Sequence, residues 1–446
     1  MPSDHAKPAN KRPDRLFLIA AITAGMSILY LAYMSLAMYV ANPVVDLRGN
    51  IDWGHLNSGL DRIHSFRDTA RWWTGTWCGE VPFWRPLTSY VFWGERLLWP
   101  REYMLPREVI LVALHLWFVA LGGLLIWRLT RRKWLVVLSL YLFAGLRIPQ
   151  CWLFFGIPVA VTETLSDPKN VVELLVGIPM LASLIFLVSG RWVAALAMAA
   201  LSVCFKETGF MTWPIALLAL AWVYREHVLS ADRVRYVAAG ICRNWLPIAI
   251  WLVVLGVLSV IHYAAVGKGY NCGTNGAWHW RALAYFGGPP GASVVTRDYA
   301  PSIAAVLLFM SLLLTRGRSL LPRFFAVLGA LAVSVIIGSY FRRVPLDIAV
   351  TVLLSYSLDL RLVLFCAAWL MVAWEGRHDW QTVTLGLGAC FIAAIPTWMA
   401  AQALEHARYQ ATFFMELGVA AVLLRNAVVI RRIYWNLRKR IRSIGA

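Results

Sequence analysis

The chain is a succession of apolar stretches, each bounded by basic or turn-forming residues, and stretches this long leave few folds open. A helix needs about 20 apolar residues to cross the hydrocarbon core, where lipid offers no partner for backbone N–H and C=O groups. The runs lie at 16–41, 108–127, 134–147, 170–189, 192–205, 208–224, 245–266, 301–315, 324–340, 346–374, 381–400 and 413–430. They predict one all-α polytopic membrane domain over 1–446, with about 12 transmembrane helices (roughly 11–13). At a mean hydropathy of +0.63 the chain is too apolar for a soluble globular domain of this length. The first run is too long for a signal-peptide core and has no clear small-residue cleavage site, so a retained span is expected.

Charge then orients the bundle. Lys7, Lys11, Arg12 and Arg15 precede the first run, which holds residues 1–15 in the cytoplasm by the positive-inside rule. The same rule accounts for Arg128, Arg131, Arg132 and Lys133, for Arg225, Arg233, Arg235 and Arg243, for Arg316, Arg318 and Arg323, and for the basic tail 431–446. This parity requires 346–374 to cross once, as a helix broken or re-entrant around Asp359 and Arg361. The net charge of +19 therefore serves topology and anionic lipid, and nucleic-acid binding is excluded for want of a basic, aromatic-interleaved soluble module.

Two outer loops are long. The first, 42–107, carries nearly balanced charge with Trp53, Trp72, Trp73, Trp77, Trp84, Trp93 and Trp99, a density that suits amphipathic helices in the membrane interface. The second, 267–300, is rich in glycine, proline and aromatic residues and reads as a turn-built flap. Cys78 and Cys272 both fall in outer segments, where a disulfide is geometrically open and two free thiols are the plainer reading. No cysteine spacing has the form of a metal site.

Ionisable groups in or beside spans are costly, so each is a functional candidate. Asp46 and Asp52 follow the first span, where a carboxylate can act as a general base on a hydroxyl or help hold a cation; ordinary loop acids and helix caps are the bland reading. In "FWRPL", Pro86 suits the first turn of an interfacial helix and Arg85 stands at its mouth. Its guanidinium either snorkels to headgroups or binds a phosphate in a bidentate fork. Glu163 and Asp167, with Lys169, precede a span and read as a substrate-positioning set or as helix capping. Lys206 and Glu207 lie between two runs with almost no loop, either as an ion pair bracing the hairpin or as a phosphate or acceptor contact. His115, inside the second span, reads first as interhelical glue. There is no GxSxG, HExxH, Walker or dinucleotide motif.

Taken in order, Asp46/Asp52, "FWRPL", "VALHLWF" and "FKETGFMTWP" resemble the GT-C superfamily of integral-membrane glycosyltransferases, in its protein O-mannosyltransferase-like branch. The likeness covers roughly 15–225 of this chain, which it marks as a catalytic module, with 226–430 as variable C-terminal helices. The family's paired aspartates are a single one in "IDWGH", its tyrosine before Arg-Pro is Trp84, and no tetratricopeptide array follows the last span, as in a bacterial stand-alone enzyme. The resemblance implies inverting transfer of a sugar from a polyprenyl-phosphate donor to a protein, lipid or glycan hydroxyl at the outer face of a bacterial inner membrane. It implies Asp52, or Asp46, as base, and Arg85 and Lys206 at the donor phosphate with Arg342 and Arg361 as further contacts. Asp167, Glu163, Glu207 and His115 are supporting or acceptor-side residues. A magnesium or manganese ion is the cofactor some members of the family use; the absence of Asp-x-Asp here points to a metal-free reaction. A lipid-linked glycan polymerase, ligase or flippase would carry its large outer loop late in the chain, and a secondary transporter would show inverted repeats with midplane polar sites.

Overall fold

A computed structural model describes residues 15–41, 63–76, 83–100, 103–145, 164–165, 170–224, 245–266 and 380–399, with scattered positions between 409 and 436. The described residues form helices and turns, with no sheet among them. In chain order the helices are α1 (Arg15–Ala41), α2 (Phe66–Thr74), α3 (Pro86–Leu98), α4 (Leu105–Thr130), α5 (Lys133–Leu140, widening into a π turn at Tyr141–Gly145), α6 (Val171–Val188), α7 (Trp192–Phe205), a 3-10 turn (Glu207–Met211), α8 (Thr212–Val223), α9 (Trp245–Val266) and α10 (Trp380–Met399). The chain is a multi-span helical membrane protein.

Among the described residues, four helices are long and apolar enough to cross a membrane: α1, α4, α6 and α9. The runs expected at 134–147, 192–205 and 208–224 appear as shorter apolar helices, which narrows what the sequence pattern alone suggested. At 1.5 Å per residue, a helix as short as α7 reaches only about 21 Å. The reason is local: Lys206 stops α7 in extended backbone (φ −162°, ψ 148°), and the next turn winds as 3-10 before α8 begins. The runs expected at 301–315, 324–340 and 346–374, and the loop 267–300, lie outside the described residues, as do Cys78 and Cys272.

Helix packing relies on small residues and on hydroxyls turned to carbonyls, the usual means of association where lipid supplies no hydrophobic contrast. α6 and α7 form a hairpin through Gly190, whose φ of +76° is left-handed and favours a residue without Cβ. Ser183 Oγ donates to Ala195 O at 2.7 Å and Ser202 Oγ to Val176 O at 3.0 Å, tying the two helices at both ends. Phe118, Phe143, Tyr409 and Phe413 meet edge to face in the core between α4, the π turn and the C-terminal helical residues. α8 is fastened to α4 where Trp222 Nε1 donates to Leu129 O at 3.3 Å.

Two helices, α2 and α3, form in the tryptophan-rich segment. α2 begins after Ser65, whose backbone N–H donates to the Asp68 carboxylate at 2.8 Å. α3 begins at Pro86, as the Arg-Pro pair predicts. Aromatic contacts Phe66–Trp93 and Phe66–Tyr90 join the two helices, and Trp73 Nε1 donates to Tyr90 Oη at 3.1 Å. α3 is also bound to the start of α4: Arg107 Nε donates to Glu95 Oε2 at 3.2 Å, and Arg107 Nη1 donates to Tyr103 O at 2.7 Å.

Candidate functional site

Four elements meet where α7 ends. The loop before α3 brings Trp84 and Arg85; the α7–α8 connection brings Lys206 and Glu207; the first turn of α6 brings Glu173; and the C-terminal helical residues bring Gln410. The approach of α3 is fixed by Thr88, whose Oγ1 donates to Phe205 O, the last carbonyl of α7, at 2.8 Å. The 3-10 turn can lie this close only because residue 209 is glycine: a Cβ there would run into the backbone of Ser202 and Val203.

The charged groups pair in a way the sequence does not suggest. Arg85 Nε donates to Glu207 Oε2 at 3.3 Å, across 122 residues of chain, while the other oxygen of Glu207 accepts from the Trp84 backbone N–H. Lys206 does not pair with its neighbour Glu207; its Nζ donates to Glu173 Oε1. Gln410 Nε2 donates to the Glu173 backbone carbonyl at 2.6 Å and lies 3.4 Å from its carboxylate. The order is thus Arg85–Glu207 beside Lys206–Glu173, two cations and two carboxylates alternating through a buried seam.

Burial makes these pairs consequential. Arg85 is 8% exposed, Lys206 7% and Glu173 2%. An arginine that only snorkelled would extend to headgroup level; Arg85 instead turns inward, with its guanidinium 4.2 Å from the Phe83 ring centroid. Burial pulls the Lys206 ammonium below the usual lysine range, the Glu173 carboxylate opposes that shift, and the positive charge of Arg85 adds to it. Removing either member of such a pair leaves a buried charge without its partner, which typically costs about 3–5 kcal/mol.

Next to the pairs stands an aromatic wall. Trp84 is fully buried with Leu196, Ala199, Val203, Trp213 and Leu258, and its indole Nε1 donates to Trp73 O at 3.0 Å. His262, in the last turn of α9, meets Trp84 and Phe210 edge to face, with centroids 6.1 and 5.7 Å apart.

Of the residues the sequence singles out, Arg85, Lys206 and Glu207 are brought together. His115 lies apart from them, inside α4, where Nδ1 meets Tyr409 Oη at 2.5 Å in an interhelical hydrogen bond. Tyr409 precedes Gln410 in the chain, which links His115 to the seam through the backbone. Asp46, Asp52, Glu163, Asp167, Arg342 and Arg361 lie outside the described residues. Glu173 and His262 were not anticipated; the signal for each was one ionisable residue in the terminal turn of an otherwise apolar run. Among the described residues, no three His, Cys, Asp or Glu side chains are grouped so as to hold a metal ion. No protein-family model, no curated protein and no solved structure matches the chain.

Proposed function

We propose that this protein is an inverting, GT-C-like glycosyltransferase of about 12 spans, moving a sugar from a polyprenyl-phosphate donor to a hydroxyl acceptor at the outer face of the membrane. One observation carries the reading. Arg85 and Lys206, the two cations the motif order singles out, stand side by side on paired carboxylates at the end of the bundle that also bears the tryptophan-rich helices. A departing lipid phosphate gains negative charge as its bond to the anomeric carbon breaks, and two fixed cations in a dry seam stabilise that charge far better than solvent does. Glu207 and Glu173 neutralise the cations before the donor arrives, so the phosphate competes with a carboxylate at each. Asp52 or Asp46 takes the acceptor proton, and Arg342 and Arg361 supply further positive charge toward the donor. Asp46 and Asp52 are the residues that would hold a magnesium or manganese ion, which would supply Lewis-acid chemistry at the phosphate.

The test is turnover by purified protein in detergent, given polyprenyl-phosphate sugars and a hydroxyl acceptor. Arg85→Gln should lower kcat/KM about 100-fold or more, the loss seen when a transition-state charge contact is removed. Asp52→Asn or Asp46→Asn should abolish proton removal from the acceptor while leaving donor binding intact. Turnover equal to wild type in Arg85→Gln, or in both aspartate variants, overturns the mechanism. Movement of substrate across vesicles with no transfer points instead to a flippase or transporter.

A further inference from the structure

His262 presents an unmade hydrogen bond at the edge of the charged seam. Among the described residues its buried Nε2 has no partner, although the ring is clamped between Trp84 and Phe210. Buried polar atoms in folded proteins are overwhelmingly hydrogen-bonded, so one held rigidly without a partner calls for an explanation. Packing alone does not supply it, since a phenyl ring would fill the same edge-to-face slot without the cost of desolvating a nitrogen. Glu207 lies close enough to act on the ring electrostatically, yet both of its oxygens are directed to Arg85 and to the Trp84 backbone. Among the described residues, Thr208 Oγ1 in the same turn and Thr212 Oγ1 at the start of α8 are also buried without a partner.

We infer that His262 is a ligand-contact residue, whose Nε2 hydrogen-bonds a phosphate oxygen of the bound lipid-linked donor alongside Arg85. This rests on the polyprenyl-phosphate reading above and extends it to a residue on α9. The edge-to-face clamp fixes the imidazole plane, so the contact is preorganised. When Arg85 turns from Glu207 to the phosphate, His262, edge to face with the adjacent Trp84, adds its Nε2 to the same ligand. It holds the ligand and exchanges no proton in the reaction.

The experiment is calorimetric titration of the detergent-solubilised full chain with farnesyl phosphate, a short polyprenyl phosphate, at a fixed pH of about 8. Parallel titrations use inorganic phosphate and phosphatidylglycerol. His262→Phe keeps the ring against Trp84 and Phe210 and removes the nitrogen; His262→Gln restores a polar atom near the same reach. Binding is expected to weaken about 10-fold or more in His262→Phe, the scale of one charge-assisted hydrogen bond, and to recover to within about threefold in His262→Gln. Melting temperatures within a few degrees of wild type show that the variants fold, and if His262→Phe fails this check it is replaced by His262→Leu with the same expected loss. Wild type that binds farnesyl phosphate, with His262→Phe binding equally well, overturns the assignment of His262 and leaves the donor reading standing. Wild type that binds no farnesyl phosphate overturns both. Equal binding of phosphatidylglycerol overturns the donor as the ligand in favour of bulk lipid.

Discussion

Two buried glutamates, both within apolar helices, have opposite surroundings and should respond oppositely to removal. Glu173 holds Lys206 and Gln410, whereas among the described residues neither carboxylate oxygen of Glu416 has a hydrogen-bond partner. Glu173→Leu strands the Lys206 ammonium and should cost about 3–5 kcal/mol. Glu416→Leu breaks no bond and trades a desolvated carboxyl for an apolar group, so stability should hold or rise. Melting temperatures of the two variants in detergent decide this, and equal losses would refute the distinction. The identity of Glu173's partner could not be read from the sequence, where Lys206 stands next to Glu207 and invites that pairing. Extended backbone at Lys206 sends consecutive side chains to opposite sides, one toward α6 and one toward the loop before α3.

At the level of elements, α3 is the piece that delivers Arg85, and its attachment to α4 is sensitive to pH. Burial pushes the Glu95 carboxyl up to about 7 from an ordinary 4.5, although Arg107 beside it pulls the other way. The folded protein therefore keeps a proton that the unfolded chain releases between those values. Its stability should fall as pH rises from about 4.5 to about 7, and level off above. Glu95→Gln keeps an acceptor for Arg107 and should flatten the profile; a melting-temperature series from pH 4 to 8 that shows the same slope in both proteins would rule this out. Helix positions were largely legible: α1, α4, α6, α9 and α10 follow the apolar runs, and α3 starts at the proline that marks it. The break at Lys206–Met211 was not, because hydropathy averages over a window and passes across one lysine, one glutamate and a glycine whose missing side chain decides the close approach.

For the whole molecule, the orientation drawn from basic loops can be checked against the geometry. Phe66 of α2 packs on Trp93 of α3, and Glu95 of α3 binds Arg107 near the Leu105 end of α4, so Ser65 lies toward that end; Arg132 follows the opposite end, about 39 Å away for a helix of this length. With the basic loops cytoplasmic, a cysteine at Ser65 should react with a membrane-impermeant maleimide in intact cells, and one at Arg132 only after permeabilisation. Reversed labelling would place the charged seam on the cytoplasmic side and remove the outer-leaflet donor with it.

The shortness of α7 has a consequence for access. A helix of about 21 Å does not span a hydrocarbon layer of about 30 Å, so if its basic end sits at one headgroup plane, Lys206 stops several ångströms below the other. The buried seam then lies below the headgroup plane, beside the aromatic helices. A molecule diffusing within the leaflet reaches that depth sideways, keeping its tail in lipid all the way. A water-borne sugar nucleotide would have to shed its hydration and descend. On the lipid-linked-donor reading proposed above, the depth of one truncated helix favours a membrane-resident substrate before any residue has recognised it.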